Sequence, residues 1–318
     1  MTTLSDWLAA QPVDPKLASV VATMATASAE IADVLRLAPI SGQTGLAGQT
    51  NVQGEAQKAL DVISNDIVLN HIRRNPDISI LVSEELDEAV HIENQGRFLV
   101  ATDPLDGSSN LDVNVTVGTI FSVLDATKGL LQPGSAQLAA GYAAYGPATS
   151  LVLTFGTSTA VFTLDADGTF QLTLDNMSVA PASAEYAINT ARERLWDAAT
   201  RGYVAENVAG ETGPAGKRHN MRWVGSMVAD IHRILMRGGI FLYPLDSETT
   251  SKGGRLRLLY EANPMALVVE AAGGRSTTGR ERILDLVPTG IHQRVPVILG
   301  SAEEVARVEA WYAKIPAN

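Results

Sequence analysis

The chain carries the sequence Asp103-Pro104-Leu105-Asp106-Gly107-Ser108-Ser109-Asn110 directly after the apolar run Phe98–Ala101. Pro104 fixes its own φ and Gly107 permits close backbone approach, so both carboxylates can converge on one point. Mg²⁺ prefers such oxygen ligands, and the serine hydroxyls and N–H groups that follow suit a phosphate. The same residues are equally typical of a turn with Asx hydrogen bonds and no ligand. The motif alone leaves both interpretations open.

Other acidic residues follow apolar elements in the same way. Glu84-Glu85 come after the run Ile78–Val82, and adjacent carboxylates are costly unless a cation or a proton separates them. Acids at the ends of strands indicate a site at the edge of a sheet. Glu55 and Asp61 lie near the start of the second predicted helix, and Glu261 lies between an apolar run and a helix. Taken singly, they are typical of first-turn acids, solvated helix residues or caps.

Hydrophobic periodicity outlines the elements around these acids. Spacings of three and four predict a helix over residues 17–35, which Pro39 ends, and a polar, Gly-rich loop up to about Gly54. A second helix spans Leu60 to Ile72. The centre of the chain is rich in short β-type runs, which are Thr119–Leu124, Ser150–Phe155, Ala160–Leu164 and Phe170–Leu174.

Helices and strands alternate in the last third of the chain. The pattern predicts a helix ended by Gly238-Gly239, followed by the remaining elements in order: strand Ile240–Tyr243, helix Asn263–Ala271, strand Val295–Leu299 and a helix from Val305 to Ile315. The fold class is therefore mixed α/β in stacked layers. A composition shift at residues 180–183 predicts two domains, an N-terminal domain of residues 1–182 and a C-terminal domain of residues 183–318.

Composition excludes several classes of function. The 318 residues include no cysteine, which excludes thiol catalysis, Cys-ligated zinc, iron–sulfur clusters and disulfides. A net charge of −11, from 24 basic and 35 acidic residues, argues against nucleic-acid binding and is compatible with sites for cations. No targeting segment is visible, and apolar runs such as Ile240–Tyr243 fall far short of a membrane span. We therefore expect a cytoplasmic protein without membrane association.

The order of its motifs closely resembles that of class I fructose-1,6-bisphosphatases. The match runs from about residue 51 to residue 305, in the segments Asn51–Glu55, Leu60–Asp66, Val82–Glu85, Asp103–Leu111, Gly225–Arg233 and Arg257–Ala266. The Asp-Pro-x-Asp-Gly motif also occurs in the related inositol monophosphatases, whereas the whole series in order is specific. The resemblance implies a layered α/β/α/β/α fold with two mixed sheets.

The resemblance also implies the reaction and its metal site. The reaction would be hydrolysis of the 1-phosphate of fructose 1,6-bisphosphate to fructose 6-phosphate, in gluconeogenesis or Calvin-type carbon metabolism. Two or more Mg²⁺ ions, with Mn²⁺ as a substitute, would be held by the side chains of four acids and one carbonyl, namely Glu84, Asp103, the Leu105 carbonyl, Asp106 and Glu261. Asp61 and Glu85 would help to deprotonate the attacking water, with Glu55 nearby.

The substrate contacts follow by the same resemblance. Asp106, Gly107, Ser108 and Ser109 would hold the 1-phosphate. The far phosphate would be bound by Asn189, Trp223, Tyr243, Arg255 and, from a neighbouring subunit of a homotetramer, Arg222. In this chain Arg255 replaces the usual lysine and Trp223 a tyrosine. Arg192 also stands where many members have a tyrosine, and either contacts phosphate or lies on the surface.

The sequence predicts regulation and substrate range less specifically than it predicts the reaction. Residues 22–27 lack the Thr-Gly-Glu segment of AMP-inhibited members, and Asp125 stands where an arginine is expected. We therefore expect weak or absent AMP inhibition, which inhibition by micromolar AMP would contradict. Dual activity on sedoheptulose 1,7-bisphosphate is the nearest alternative. An inositol monophosphatase would not need the second-phosphate residues, and a non-catalytic sugar-phosphate sensor would not need seven site acids.

Overall fold

The computed structural model describes residues 1–41, 46–50 and 56–315. Within these ranges the helices are α1 (Leu4–Ala10), α2 (Pro15–Ser41), α3 (Ala59–Arg74), α4 (Ala198–Ala209), α5 (Met227–Arg237), α6 (Asn263–Ala271) and α7 (Ala302–Ala313). The strands of the N-terminal half are β1 (Leu46–Thr50), β2 (Ala56–Lys58), β3 (Ile78–Ser83), β4 (Val90–His91), β5 (Phe98–Asp106), β6 (Val117–Asp125), β7 (Ala139–Tyr145), β8 (Thr149–Thr154), β9 (Thr159–Leu164) and β10 (Phe170–Met177). Those of the C-terminal half are β11 (Glu185–Ile188), β12 (Asn220–Met221), β13 (Ile240–Tyr243), β14 (Leu256–Arg257), β15 (Arg275–Thr277), β16 (Arg294–Val295) and β17 (Val297–Gly300).

Two mixed sheets organise the described residues. The larger sheet has the order β10-β9-β8-β7-β6-β5-β3-β4, in which β3 and β5 run parallel and the other neighbours antiparallel. The smaller sheet has the order β12-β11-β13-β17-β15, with β11 parallel to both of its neighbours. The parallel pair β3/β5 matters for function, because the carboxyl ends of both strands meet at the same sheet edge.

Three helical layers alternate with the two sheets. The helices α1, α2 and α3 cover one face of the larger sheet. Between the sheets lie α5 and α6, whose buried side chains, such as Ile231 and Met265, contact both sheets. The helices α4 and α7 cover the outer face of the smaller sheet around Tyr203 and Val308. The predicted α/β/α/β/α layering is therefore confirmed.

Most predicted elements are present, and the differences have physical causes. The predicted end of the first helix at Pro39 is wrong, because α2 continues through Pro39 to Ser41. The predicted loop up to Gly54 is also wrong over residues 46–50, where β1 pairs with β2 through backbone hydrogen bonds, which require no apolar sequence pattern. Residues 42–45 and 51–55 lie outside the described ranges. The strand β7 is not predicted by the sequence pattern, because its Ala-rich run lacks the β-branched residues typical of strands. The predicted domain boundary at residue 182 falls between β10 and β11, and the division stays a prediction.

Within the described ranges one helix, α2, is long and apolar enough to cross a membrane by length and composition. Half of its most apolar window is buried in the protein, and Val20, Met24 and Ile31 are fully buried against the larger sheet. Small alanine and serine residues interrupt the large apolar side chains of this window, so no continuous run of large apolar residues marks it in the sequence. A buried core helix passes the same test, so α2 is only a weak indication of a membrane span.

Asp125 ends β6 and holds the turn that follows. Its buried carboxylate accepts hydrogen bonds from the Thr127 hydroxyl (2.6 Å) and from Arg97 Nε (3.0 Å) and Nη2 (2.9 Å). The Thr127 and Arg97 bonds lower the pKa of Asp125 to about 2. Because Arg97 compensates its charge, Asp125 repels a nearby anion less than an unpaired carboxylate would. The expectation of weak AMP inhibition stays a prediction.

We expect Asp125→Asn to lower the free energy of unfolding by about 1–2 kcal/mol at pH 7. The loss is kept small because Arg97 is half exposed, so solvent screens its interaction with Asp125. The depressed pKa means that this contribution is complete above the unfolded value of 3.8 and is lost as pH falls toward 2. Urea unfolding at pH 7 and pH 3 measures it, and the difference from wild type should shrink at pH 3. Asp33→Asn, which breaks an exposed pair with Arg36, is the control. An equal loss in both variants would contradict the prediction.

Candidate active site

An acid cluster lies where β3 and β5 end side by side. Glu84 follows β3, and its backbone N–H bonds the Thr102 carbonyl of β5. Asp103 and Asp106 lie within the last four residues of β5, and Asp103 is almost fully buried. Carboxylate oxygens of Asp103, Asp106 and Glu261 all lie within 4.8 Å of one another. The fold therefore brings together acids that spacing alone does not connect.

Glu261 reaches the cluster from a buried π-helical turn, Leu258–Ala262, which leads into α6. The backbone N–H of Arg257 donates to Glu261 Oε2 at 2.6 Å. The guanidinium of Arg257 is also buried and lies 2.8 Å from Glu84 Oε1 and 3.8 Å from Glu261 Oε2. One cation is thus built into a group of at least four carboxylates, which leaves an excess of negative charge.

The excess charge shifts the proton affinity of the acids. Burial, followed by repulsion from Glu84 and Asp106, raises the pKa of Asp103 well above its usual range. Burial raises the pKa of Glu261 to about 8, although Arg257 opposes the shift. The pKa of Asp106 is also raised by burial, against hydrogen bonds from the Val228 N–H and Ser226. Buried carboxylates of this kind are stabilised by a proton or by a cation.

Asp106 also joins the cluster to the N-terminus of α5. Its Oδ2 accepts from the Ser226 hydroxyl at 2.8 Å and from the Val228 N–H at 2.9 Å. Gly107 follows with φ 76°, and a Cβ there would lie 2.7 Å from Ser226 Cβ. Only glycine fits this approach, so Gly107 lets the Ser108–Val113 3₁₀ helix begin directly against α5.

A single cavity of about 350 Å³ connects this cluster to a second group of polar and aromatic residues. The predicted residues in its wall are Asp61, Glu84, Glu85, Asp103, Leu105, Asp106, Gly107, Ser108, Ser109, Asn189, Trp223, Tyr243, Arg255 and Glu261. At the far end, Trp223 stacks on Phe241 with ring centroids 5.8 Å apart and meets Tyr243 edge-on. Arg255 supplies an exposed guanidinium beside them.

The structure places the other predicted residues as follows. Asp61 is 4% exposed on the first turn of α3 and is not a solvated helix residue. Among the described residues, Arg222 is exposed and is not part of the cavity wall. Arg192 is held by Asp246 at 2.5 Å and Glu248 at 3.1 Å. Glu55 lies outside the described residues.

Sequence reasoning missed two side chains that shape the site. Arg257 and Ser226 lie inside the motifs that carry the family resemblance, but the sequence predicts no role for either. Taken alone, Ser226 is the N-cap of α5 and Arg257 is one more cation near an apolar run. Their contacts with Asp106 and Glu84 arise between segments more than 100 residues apart, so no local pattern could indicate them.

The fold and the site together define a class of protein. Two mixed sheets with three helical layers present a buried carboxylate cluster at one end of a cavity and cationic and aromatic donors at the other. This is the donor arrangement of a metal-dependent phosphatase that acts on a small phosphorylated molecule.

Comparison with known proteins identifies the family. Residues 7–175 match the family model described as "Fructose-1-6-bisphosphatase, N-terminal domain", and residues 179–313 match the corresponding C-terminal domain. The chain belongs to the fructose-1,6-bisphosphatase family. It is 49% identical to "Fructose-1,6-bisphosphatase class 1" of Methylobacillus flagellatus over 98% of both chains. The protein of the same name from Shewanella amazonensis is also 49% identical, over 96% of this chain and 98% of its own.

A solved structure supports the same assignment. The crystal structure of Leishmania major fructose-1,6-bisphosphatase in holo form superposes with a TM-score of 0.93 at 36% sequence identity, covering 98% of this chain and 99% of that one. The family is metal-dependent, and the cluster of Asp103, Asp106 and Glu261 is able to hold a metal ion.

Proposed function

We propose that this chain hydrolyses the 1-phosphate of fructose 1,6-bisphosphate to give fructose 6-phosphate and phosphate. The observation that carries the proposal is the single cavity with two chemically different ends. The buried acids suit a metal-bound phosphate, and Arg255 with Trp223 and Tyr243 suits a second phosphate on the same small molecule. A monophosphate substrate would use only one of the two ends.

The donor set fits Mg²⁺. Carboxylate oxygens are hard ligands, and at least three of them converge in a buried site where burial disfavours their unpaired charge. We propose that Glu84, Asp103, the Leu105 carbonyl, Asp106 and Glu261 hold two or more Mg²⁺ ions, for which Mn²⁺ can substitute. When bound, such ions neutralise phosphate oxygens and lower the pKa of water.

The remaining residues act on the phosphate and on the attacking water. Gly107, Ser108 and Ser109 border the acid cluster at the start of a 3₁₀ helix, where N–H and hydroxyl groups can donate to the 1-phosphate. Asp61 and Glu85 line the same cavity and are proposed to accept the proton of the water. Neither needs to be a metal ligand for that role.

The far phosphate is proposed to be bound by Asn189, Trp223, Tyr243 and Arg255. Arg222 and its neighbour Met221 are both exposed at the edge of the smaller sheet. This position supports the proposal that Arg222 serves the cavity of a neighbouring subunit in a homotetramer. Arg192 is proposed to make no direct contact with the phosphate, because Asp246 and Glu248 already bind its guanidinium.

Phosphate release from three substrates tests the proposed function. We expect turnover of fructose 1,6-bisphosphate with Mg²⁺, loss of turnover after chelation, and little release from inositol 1-phosphate. Sedoheptulose 1,7-bisphosphate is the comparison substrate for a broader activity. Metal-independent turnover, or none with either bisphosphate, would contradict the proposal. A Michaelis constant for each bisphosphate shows whether one cavity accepts both.

A further inference from the structure

A buried acid in the first turns of α5 holds the loop that precedes the helix. Asp230 is 1% exposed. Its Oδ1 accepts from the Val224 N–H at 3.0 Å, and its Oδ2 accepts from the Gly225 N–H at 3.1 Å and from the Val224 N–H at 3.3 Å. Both carboxylate oxygens are therefore used on two consecutive backbone groups just before the N-cap Ser226. We call residues 223–226 the pre-α5 turn.

The pre-α5 turn contacts both ends of the cavity. At its first residue, Trp223 stacks on Phe241 and faces Tyr243, where the far phosphate is proposed to bind. At its last residue, the Ser226 hydroxyl donates to Asp106 of the acid cluster. The carbonyl of Gly225 also accepts from the Asn110 side chain at 3.3 Å, next to the proposed 1-phosphate donors. Moving this turn would move groups at both ends at once.

The charge of Asp230 is poorly compensated by neighbouring cations. Arg233, one turn further along α5, has its guanidinium bound by both oxygens of Glu185 at 2.9 and 2.8 Å. Burying a carboxylate with mainly backbone N–H partners costs free energy. An asparagine would avoid the charge, but its amide has one acceptor oxygen and would present N–H groups to the second backbone donor. A carboxylate gives each N–H group its own oxygen within 3.1 Å, whereas the single oxygen of asparagine would have to serve both donors from the Oδ2 position, at 3.1 and 3.3 Å.

We propose that Asp230 is a positioning residue that sets the placement of Trp223 relative to Ser226, and thereby couples the far-phosphate end of the cavity to the acid cluster. This inference rests on the proposed function for its kinetic consequences. Its structural consequences, on the pre-α5 turn and on metal binding, do not depend on which substrate is turned over.

The test is the Asp230→Asn variant, with three measurements on folded, full-length protein. Hydrogen exchange of the peptide that covers residues 223–226 should become faster. The affinity for Mn²⁺ alone, measured by calorimetry at pH 8, should fall about tenfold or more, as for other groups that orient metal ligands. KM for fructose 1,6-bisphosphate should rise while kcat also falls, because both ends of the cavity move.

Asp197→Asn is the matched control. Asp197 caps α4 by accepting from the Thr200 N–H at 2.7 Å, and α4 packs against α7 on the outer face of the smaller sheet. Asparagine can still accept from the Thr200 N–H as an N-cap, so this variant should change neither the Mn²⁺ affinity nor KM. An Asp230→Asn variant that behaves like this control, or that changes only one end of the cavity, overturns the proposal.

A second variant covers the case in which Asp230→Asn does not fold. Gly225 has φ 84°, and alanine is strained there, so Gly225→Ala disturbs the pre-α5 turn and leaves Asp230 in place. It should show the same joint loss of Mn²⁺ affinity and rise in KM, and normal values for both would overturn the proposal. A wild-type protein without bisphosphatase activity would refute the proposed function, while exchange and Mn²⁺ binding would still test Asp230.

Discussion

Asp61→Asn is expected to lower kcat for fructose 1,6-bisphosphate by at least about a hundredfold, within the range of general-base contributions. Asp61 is buried in the cavity wall on the first turn of α3, where a carboxylate can accept a proton from water. Asparagine keeps the shape of the side chain but cannot accept that proton. KM and the affinity for Mn²⁺ should change little, since Asp61 is proposed as a proton acceptor and not as a metal ligand. Steady-state kinetics with calorimetry measures all three.

Asp66→Asn is the matched control for this variant. Asp66 lies on the same helix as Asp61, and its substitution by asparagine makes the same chemical change. Its side chain is exposed and does not line the cavity. We expect wild-type kcat and KM for Asp66→Asn. If Asp61→Asn loses Mn²⁺ affinity as strongly as it loses kcat, then Asp61 is a metal ligand and the proposed division of roles is wrong.

The fold was largely predictable because its helices and strands are marked by local patterns. The repeat in α2, the Gly238 end of α5 and the apolar runs of β3 and β5 each follow from spacing or from one special residue. Local sequence patterns fail to predict a strand whose burial comes from neighbouring elements and not from its own large apolar side chains. The strand β7 is buried on both faces by helices of two different layers, so small residues such as Ala140 and Ala143 suffice there.

The site was predictable only in part from the residues themselves. The sequence indicates Asp103 and Asp106 as site residues because Pro104 and Gly107 directly follow them. It indicates Glu84 because that residue comes at the end of a neighbouring strand. Glu261 joins them only because the turn before α6 folds back over β5. Spacing cannot predict a contact across more than 150 residues, and here the family resemblance supplied it. Arg257, which moderates the charge of the cluster, had no sequence signal of its own.

The second large effect concerns metal binding and its dependence on pH. Metal-free protein carries Glu261 with its pKa raised to about 8 and Asp103 with a raised pKa, and both must ionise to bind a cation. We therefore expect Mn²⁺ binding to release protons, and its apparent affinity to fall by up to about tenfold per pH unit below pH 8 for each proton displaced. Calorimetry in buffers of different ionisation enthalpy measures the number of protons. Binding without proton release would contradict the raised pKa values.

Glu261→Gln separates the cost of the charge from its use. A carboxylate whose folded pKa is raised destabilises the fold as pH rises from its usual 4.5 toward 8, because the folded chain holds the proton more tightly than the unfolded chain. Without metal, Glu261→Gln should therefore unfold at higher urea concentration than wild type at pH 8 and should match it near pH 4.5. With saturating Mg²⁺ the order should reverse, and turnover should fall more than a hundredfold. Glu309→Gln, which breaks a remote pair with Arg275, should show neither effect. A carboxylate that destabilises the metal-free protein and stabilises the metal-bound protein is selected for binding a cation. If Glu261→Gln remains more stable to urea than wild type in saturating Mg²⁺, Glu261 is not a metal ligand.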